Sequence, residues 1–173
     1  SSADYYYVNK SSLPKVYGGF NTSLSWKGFD LSAIFAYSIG GYIYNRDITM
    51  ILHNGSLEGR DWSTEILKRW TPDNRYTDVP ALSTTSNNWN SASTRFLQNN
   101  SYMRLKNLTL SYNLPKQWIS KLSLSSVQVY VQGDNLFTIH RNQGLDPEQG
   151  ITGITYYRYP AMRTISGGIN VSF

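Results

Sequence analysis

The feature that most constrains the fold of this 173-residue chain is a set of five runs in which apolar and polar residues alternate. In the clearest run, FNTSLSW, one side carries Phe20, Leu24 and Trp26 and the other carries Asn21 and Ser23. Side chains of a β-strand alternate between its two faces, so a period of two predicts a strand with one apolar and one polar face. The later runs begin near residues 29, 106, 127 and 164. The sequence therefore predicts an antiparallel, all-β fold.

A single apolar face is expected to continue across these strands. We predict that it contains Phe20, Leu24, Phe29, Leu31, Phe35, Leu108, Leu110, Val129, Val131, Ile169 and Val171. The opposite face is rich in Asn, Ser, Thr and Gln and poor in charge. A soluble sheet usually presents Lys and Glu to water, so this composition favours a hydrated lumen.

The connections between the predicted strands alternate in length. Lys27-Gly28 and residues 115–125 are short connections, whereas residues 44–100 and 140–162 are long ones. We predict that the short connections lie at one end of the sheet and the long connections at the other. Transmembrane β-barrels have short periplasmic turns and long extracellular loops, so the pattern indicates an antiparallel transmembrane β-barrel segment that ends on the periplasmic side.

Short helices are expected within these connections. Asp61 or Ser63 can cap a helix whose apolar face contains Ile66, Leu67 and Trp70. A second helix is expected over residues 116–122, after a proline at its start.

Composition excludes several classes of protein. No run approaches the ~18 apolar residues of a membrane-spanning helix, but a barrel strand needs only ~10 residues, so a mean hydropathy of −0.42 is compatible with a barrel. The absence of Cys excludes disulfides and thiolate metal sites. The net charge of +5 comes from scattered Lys and Arg, so no nucleic-acid partner is expected.

The number of strands predicts that the chain is part of a larger barrel. The smallest barrels of this type need ~8 strands, and about five are predicted here. The chain also begins Ser1-Ser2 without a secretory leader. We therefore interpret residues 1–173 as one segment of a barrel whose earlier strands and plug lie upstream.

Several motifs resemble the C-terminal barrel segment of the SusC/RagA family of TonB-dependent outer-membrane transporters from Bacteroidetes. Each motif is short, but their order holds from about Leu13 to the end. They are Leu13-Pro14-Lys15, Gly18-Gly19-Phe20, residues 26–32 (WKGFDLS), residues 69–72 (RWTP), residues 77–80 (TDVP), residues 101–112 (SYMRLKNLTLSY), residues 133–138 (GDNLFT), residues 144–148 (GLDPE), Tyr159-Pro160, Arg163-Thr164 and residues 168–173 (GINVSF).

The resemblance implies a location and a set of partners. It implies a barrel of ~22 strands in the bacterial outer membrane, with a plug, that imports nutrient oligomers, either glycans or peptides. Its expected partners are TonB, which acts through an upstream region, a SusD-like surface lipoprotein, the barrel-assembly machinery and outer-membrane lipid. No enzyme activity and no cofactor are expected.

Two groups of residues are candidates for contacts with other molecules. The aromatic side chains of the long connection can stack on sugar rings or contact the lipoprotein, although packing of the connection on itself explains any single one as well. They are Trp62, Trp70, Tyr76 and Trp89. At the other end of the chain, Phe173 with Val171 and Ile169 resembles the terminal signal that barrel-assembly machinery recognises.

Catalytic and metal sites are not expected. His53 and His140 lack neighbouring ligands at metal-binding spacing. Capping and solvation account for three nearby carboxylates, Glu58, Asp61 and Glu65. Asp146-Pro147-Glu148 lacks the ligand pattern of a calcium loop and predicts a turn.

One alternative is compatible with the aromatic residues and short strands. A secreted β-sandwich that binds carbohydrate or acts as an adhesion module also combines these features. Solubility without detergent distinguishes a sandwich from a barrel.

Overall fold

The computed structural model describes residues 5–53, 59–83, 91–142, 144–148 and 150–173. The chain divides into two compact units. The sheet unit contains Pro14–Gly41, Asn100–Glu148 and Tyr159–Phe173. The connection unit contains Ser1–Leu13, Tyr42–Asn99 and Gln149–Arg158.

The sheet unit is built on five antiparallel strands in the order β1-β2-β5-β6-β8. Their bounds are β1 Pro14–Trp26, β2 Phe29–Gly40, β5 Tyr102–Asn113, β6 Ser126–His140 and β8 Thr164–Ser172. Each predicted run lies within or almost fully within one of these strands, but β1, β2, β5 and β6 are longer than predicted. Within the described chain, β1 and β8 each pair on one side only, so the sheet has two open edges.

Strand register confirms the predicted apolar face. Phe20 pairs with Phe35, and Leu24 pairs with Leu31. The same face continues through Leu110 opposite Leu31, then through β6 and β8. Directly paired residues point to the same side of a sheet, so all eleven predicted side chains share one face. Aromatic pairs reinforce it, since the Phe20 and Phe35 rings stack with centroids 4.7 Å apart.

The ends of the sheet are arranged as predicted. Lys27 and Gly28 have φ values of 48° and 88°, which form the two-residue turn that matches strand twist. The backbone N–H of Asn113 donates to the Gly28 carbonyl at 2.8 Å, so β5 ends beside this turn and the 114–125 connection leaves from the same end. Register places the start of β5 beside the end of β2, so the long connections leave from the opposite end.

Tyrosines lie across glycines on neighbouring strands. Tyr130 pairs with Gly168, and a Cβ built on Gly168 would approach the Tyr130 hydroxyl to 2.7 Å. Tyr37 has the same relation to Gly18, at 3.0 Å from its hydroxyl. Each glycine therefore leaves room for a ring that covers the strand beside it.

The connection unit contains elements that the sequence analysis did not predict. A second sheet has the order β4-β3-β7, formed by Leu97–Asn99, Tyr42–Asn45 and Ile154–Thr155. β3 and β7 are parallel and far apart in sequence. Helix α1, Arg46–Ile51, begins where the Asn45 side chain accepts the N–H of Ile48 at 3.1 Å, and a 3₁₀ turn covers Thr94–Phe96.

Both predicted helices are present, the first as a short 3₁₀ helix and the second over its predicted residues. Ser63 caps a 3₁₀ helix, Thr64–Lys68, by accepting the N–H of Glu65 at 3.2 Å. Its predicted apolar face is partly wrong, because Ile66 packs against Val79 whereas Leu67 is exposed. After Pro115, α2 covers Lys116–Ile119 and a 3₁₀ turn covers Ser120–Leu122.

In the part of the chain that the structure describes, no helix is both long enough and apolar enough to cross a membrane.

The apolar face of the sheet unit does not support the β-sandwich alternative. In a sandwich, the inner faces of two sheets interdigitate and bury their side chains. Here Leu24, Phe29 and Val131 stay exposed. Nothing among the described residues covers this face, so it faces a partner or a solvent outside the chain.

Candidate functional site: the polar face and the long connections

Hydrogen bonds connect the side chains of the polar face along two lines near the short-turn end of the sheet. Asp30 accepts from the Ser25 hydroxyl at 2.5 Å and from the Asn113 amide at 2.7 Å. Gln128 donates to the Ser111 hydroxyl at 3.3 Å and accepts from Asn170 at 3.2 Å. These contacts span all five strands, and although Ser111 is buried, Asn113 and Asn170 stay exposed to water or a polar solute.

A third group lies nearer the middle of the face. The Asn107 amide donates to Asp134 at 2.8 Å, and Asn107 in turn accepts from the Thr109 hydroxyl at 2.9 Å. Gln132 donates to the same Asp134 carboxylate at 3.2 Å. Neutral amide donors therefore bind the Asp134 carboxylate, and they keep this part of the face hydrophilic.

An ion-pair cluster within the sheet unit fixes residues 146–148 of the second long connection to the strands, and we call it the Arg104 cluster (Arg104, Lys106, Asp146 and Glu148). Arg104 is 3% exposed and donates to Asp146 at 2.5 Å and to Glu148 at 2.8 Å. Its third contact is to the Thr138 hydroxyl at 2.9 Å. Lys106 contacts Glu148 from the bulge of β5, at 2.5 Å. The buried guanidinium thus joins two strands to the connection.

Asp146 also orders the backbone of the connection. Its carboxylate accepts the N–H of Glu148 at 2.9 Å and that of Ala161 at 2.6 Å. Burial works to raise the pKa of the Asp146 carboxyl, but these backbone donors and the Arg104 guanidinium together hold the pKa below its ordinary value of 3.8. Asp146 therefore stays ionised in the folded protein at neutral and mildly acidic pH.

The Arg104 cluster was not predicted from the sequence. Asp146-Pro147-Glu148 was interpreted as a turn, and it is one, but its carboxylates bind cations from a strand 42 residues away. The signal that could have revealed this cluster is the presence of charged residues in an otherwise neutral alternating run. Both Arg104 and Lys106 stand at the start of β5, and the alternation breaks directly after them at Lys106-Asn107, where the strand has its bulge.

The candidate aromatic residues are held in different ways. Trp62 is half-exposed and lies edge-on to the buried His53, with ring centroids 5.4 Å apart. The backbone N–H of Trp70 donates to Val79 at 2.8 Å, and its ring is half-exposed. Tyr76 is fully exposed. Trp89 lies outside the described residues. Trp62 thus packs within the connection, whereas Tyr76 remains available for contact.

The terminal residues continue the apolar face to one edge of the sheet. Ile169 pairs with Val129, and Val171 pairs with Val127. Phe173 lies one residue beyond β8 and is exposed. These residues thus form an apolar strip at the open edge of the sheet, and their role as an assembly signal stays a prediction.

Two of the other polar candidates, Glu65 and His140, have structural partners. Asp61 is exposed, Glu65 lies 3.8 Å from Lys68, and Glu58 lies outside the described residues. Nδ1 of His140 lies 2.9 Å from the Asn142 carbonyl oxygen. Among the described residues, no group of three or more His, Cys, Asp or Glu converges to form a metal site.

Comparison with family models gave no match. TonB-dependent receptor P3 of Formosa agariphila is 34% identical over 166 residues, which cover 90% of this chain. TonB-dependent receptor SusC of Bacteroides thetaiotaomicron is 27% identical over 168 residues, 96% of this chain. The structure of the RagAB peptide transporter matches 96% of this chain with a TM-score of 0.84 and 35% identity. The chain spans 16% of each receptor and 18% of the matched transporter chain.

Proposed function

This chain belongs to the SusC/RagA family of TonB-dependent receptors, and on that premise we propose that the full-length protein is an outer-membrane transporter that imports nutrient oligomers with energy from TonB. Residues 1–173 form a C-terminal part of its barrel wall. The open edges of β1 and β8 pair with further strands of the same barrel. The plug and the contact with TonB belong to the remainder of the protein.

The observation that carries this proposal is the division of one sheet into two chemically different faces. Leu110 and Val131 pair on the apolar side, while Thr109 and Gln132 pair on the polar side. An apolar face with no cover suits lipid, and a face of amides and hydroxyls suits a water-filled interior. A transmembrane barrel wall requires both faces at once.

The unequal connections support an orientation. The short turns lie on the periplasmic side and the long connections lie outside the cell, because transmembrane barrels place their loops in this way. A SusD-like lipoprotein then contacts the external connections. In this arrangement Tyr76, Trp62, Trp70 and Trp89 are candidate contacts for the lipoprotein or the cargo, and Tyr76 is the most accessible of the described three.

The terminal strand has a proposed role in assembly. Ile169, Val171 and Phe173 present an apolar edge that the barrel-assembly machinery engages before β8 pairs with the first strand of the barrel. Closure removes both open edges, which have unpaired backbone groups that are costly in lipid.

An uptake experiment tests the import function. We expect that deleting the gene for the full-length protein abolishes accumulation of labelled oligosaccharides or peptides of at least one class, and that deleting TonB has the same effect. Reintroducing the gene restores uptake, whereas a variant with the outer-membrane level of the wild type but without TonB contact does not. Undiminished uptake of every tested glycan and peptide in the deletion strain would show that the protein is not an importer.

A further inference from the structure

An exposed pair of tyrosine rings lies beside two arginines in the connection unit. The ring centroids of Tyr156 and Tyr157 are 4.2 Å apart, and their planes are inclined by 48°. The guanidinium of Arg46 lies 4.9 Å from the centroid of Tyr156. Nη1 of Arg60 lies 3.3 Å from the Tyr157 hydroxyl. We call this group of four side chains the tyrosine platform.

The backbone of Tyr157 is strained, and a neighbouring side chain supports it. Its φ is 49°, in the left-handed region that bulky residues rarely adopt. Asp47 accepts its backbone N–H at 3.0 Å, which holds this conformation. Although the backbone is held, the Tyr157 side chain is 66% exposed. Burial of the ring therefore does not explain the strain, and strained residues of this kind cluster at binding sites.

The charges around the platform favour an anionic ligand. Arg46 and Arg60 are both exposed, and neither forms an ion pair with another described residue. Among the described residues, Asp47 is the acid that contacts the platform, and it accepts the backbone N–H of Tyr157. An arginine that lies over an aromatic ring keeps its N–H edge free for a carboxylate or a sulfate.

We propose that the tyrosine platform binds an acidic sugar of an incoming oligosaccharide, which names the cargo class and so rests on the proposed import function. The C–H face of the sugar lies against Tyr157, and its carboxylate or sulfate lies against Arg46 and Arg60. An acidic sugar offers both groups on one rigid ring, as the platform requires. The amides and hydroxyls of the polar face also match sugar hydroxyls better than the apolar side chains of a mixed peptide.

Titration of the purified full-length protein in detergent with four different ligands, each a chain of four units, tests this proposal. The probes are tetragalacturonate, a sulfated carrageenan tetrasaccharide, neutral galactotetraose and the peptide tetraglutamate. We expect one or both acidic saccharides to bind at least about tenfold more tightly than galactotetraose, with affinity that falls as salt rises. Tetraglutamate has the same number of side-chain carboxylates as tetragalacturonate but no sugar rings, and we expect it to bind about tenfold more weakly.

Two variants separate the contributions of ring and charge. Tyr157→Asn removes the ring, and Asn tolerates a positive φ, so we expect about tenfold weaker binding of every saccharide with an unchanged fold. Arg60→Gln should weaken the acidic saccharides about tenfold and leave galactotetraose unchanged. Tyr159→Asn changes a fully exposed tyrosine two positions away, and it should match the wild type.

Wild-type affinity in both Tyr157→Asn and Arg60→Gln would overturn the proposed role of the platform. The proposal would also be wrong if tetraglutamate bound as tightly as tetragalacturonate, or if neither acidic saccharide bound. If any of these outcomes occurs in a protein that still shows TonB-dependent uptake, the platform proposal is refuted and the import function stands. Binding that depends on the platform in a protein without uptake refutes the import function and leaves a saccharide-binding site.

Discussion

Replacing Arg104 by Ala in the full-length protein is expected to detach the second long connection from the barrel wall at a cost of about 3–5 kcal/mol, because the change leaves a buried carboxylate without its cation. Asp146 is only 6% exposed, and its carboxylate lies 2.5 Å from the Arg104 guanidinium. The strands have their own backbone pairing, so the loss should fall on the connection rather than on the sheet. Limited proteolysis within residues 141–163 measures the loss, and it should become at least tenfold faster.

Lys106→Ala is the matched control for Arg104→Ala. Lys106 binds the same Glu148, but it is 33% exposed and Glu148 is 39% exposed. Exposed pairs contribute only about 0–1 kcal/mol, so cleavage should change little. Arg104→Lys should fall between the two, because an ammonium group cannot replace the two-pronged contact. Equal protection in Arg104→Ala and Lys106→Ala would contradict an anchoring role for the buried guanidinium.

Acid should release the same connection in the wild type. The folded-state pKa of Asp146 lies below its ordinary value, so its contribution to stability is complete above pH 3.8 and is lost as pH falls through the folded pKa. The cleavage rate in residues 141–163 should therefore stay constant from pH 7 to about pH 5 and rise only well below that range.

Replacing Val131 by Arg is expected to destabilise the barrel by about 2–4 kcal/mol, since a cation near the middle of a lipid-facing strand loses its hydration. Gln132→Arg places the same charge at the next residue of β6 but on the polar face, beside Asp134. It should be close to neutral. The urea midpoint of the folded barrel and its heat-modifiable migration measure the difference. Similar losses in both variants would mean that the two faces do not meet different solvents.

Phe173→Asp extends this series to the edge of the membrane. A charge there costs the finished barrel only about 0–1 kcal/mol, so the unfolding midpoint should hardly move. A large fall in outer-membrane abundance would then report failed assembly, while surface protease digestion of the external connections in the remaining protein stays normal. Normal abundance would leave Phe173 as an ordinary lipid-facing residue.

The sequence predicted the sheet unit well because its information is local. Phe20, Leu24 and Trp26 repeat with the period of a strand, and Lys27-Gly28 has the chemistry of a tight turn. A one-residue slip would move every apolar side chain to the wrong face, so the pattern also determines the register.

The connection unit was harder to predict because its elements are short and the residues that contact each other are far apart in sequence. β7 has two residues and pairs in parallel with β3, about 110 positions earlier, so neither shows a period. Helix α1 covers six residues, too few to reveal an apolar face. Likewise Tyr157 and Asp47 meet only in the folded chain. Contacts of this kind depend on tertiary structure, and no alternation along the sequence signals them.

The accessibility of spin labels at paired positions on the two faces of the sheet tests most directly whether this sheet is a barrel wall. The chain has no Cys, so single cysteines can be placed at Leu110, Val131, Thr109 and Gln132 in the full-length protein with any cysteines elsewhere removed. Power-saturation EPR in lipid vesicles then compares collisions with oxygen, which concentrates in lipid, and with a water-soluble nickel chelate. We expect labels at Leu110 and Val131 to favour oxygen and labels at Thr109 and Gln132 to favour nickel. The same preference at all four positions would contradict a barrel wall.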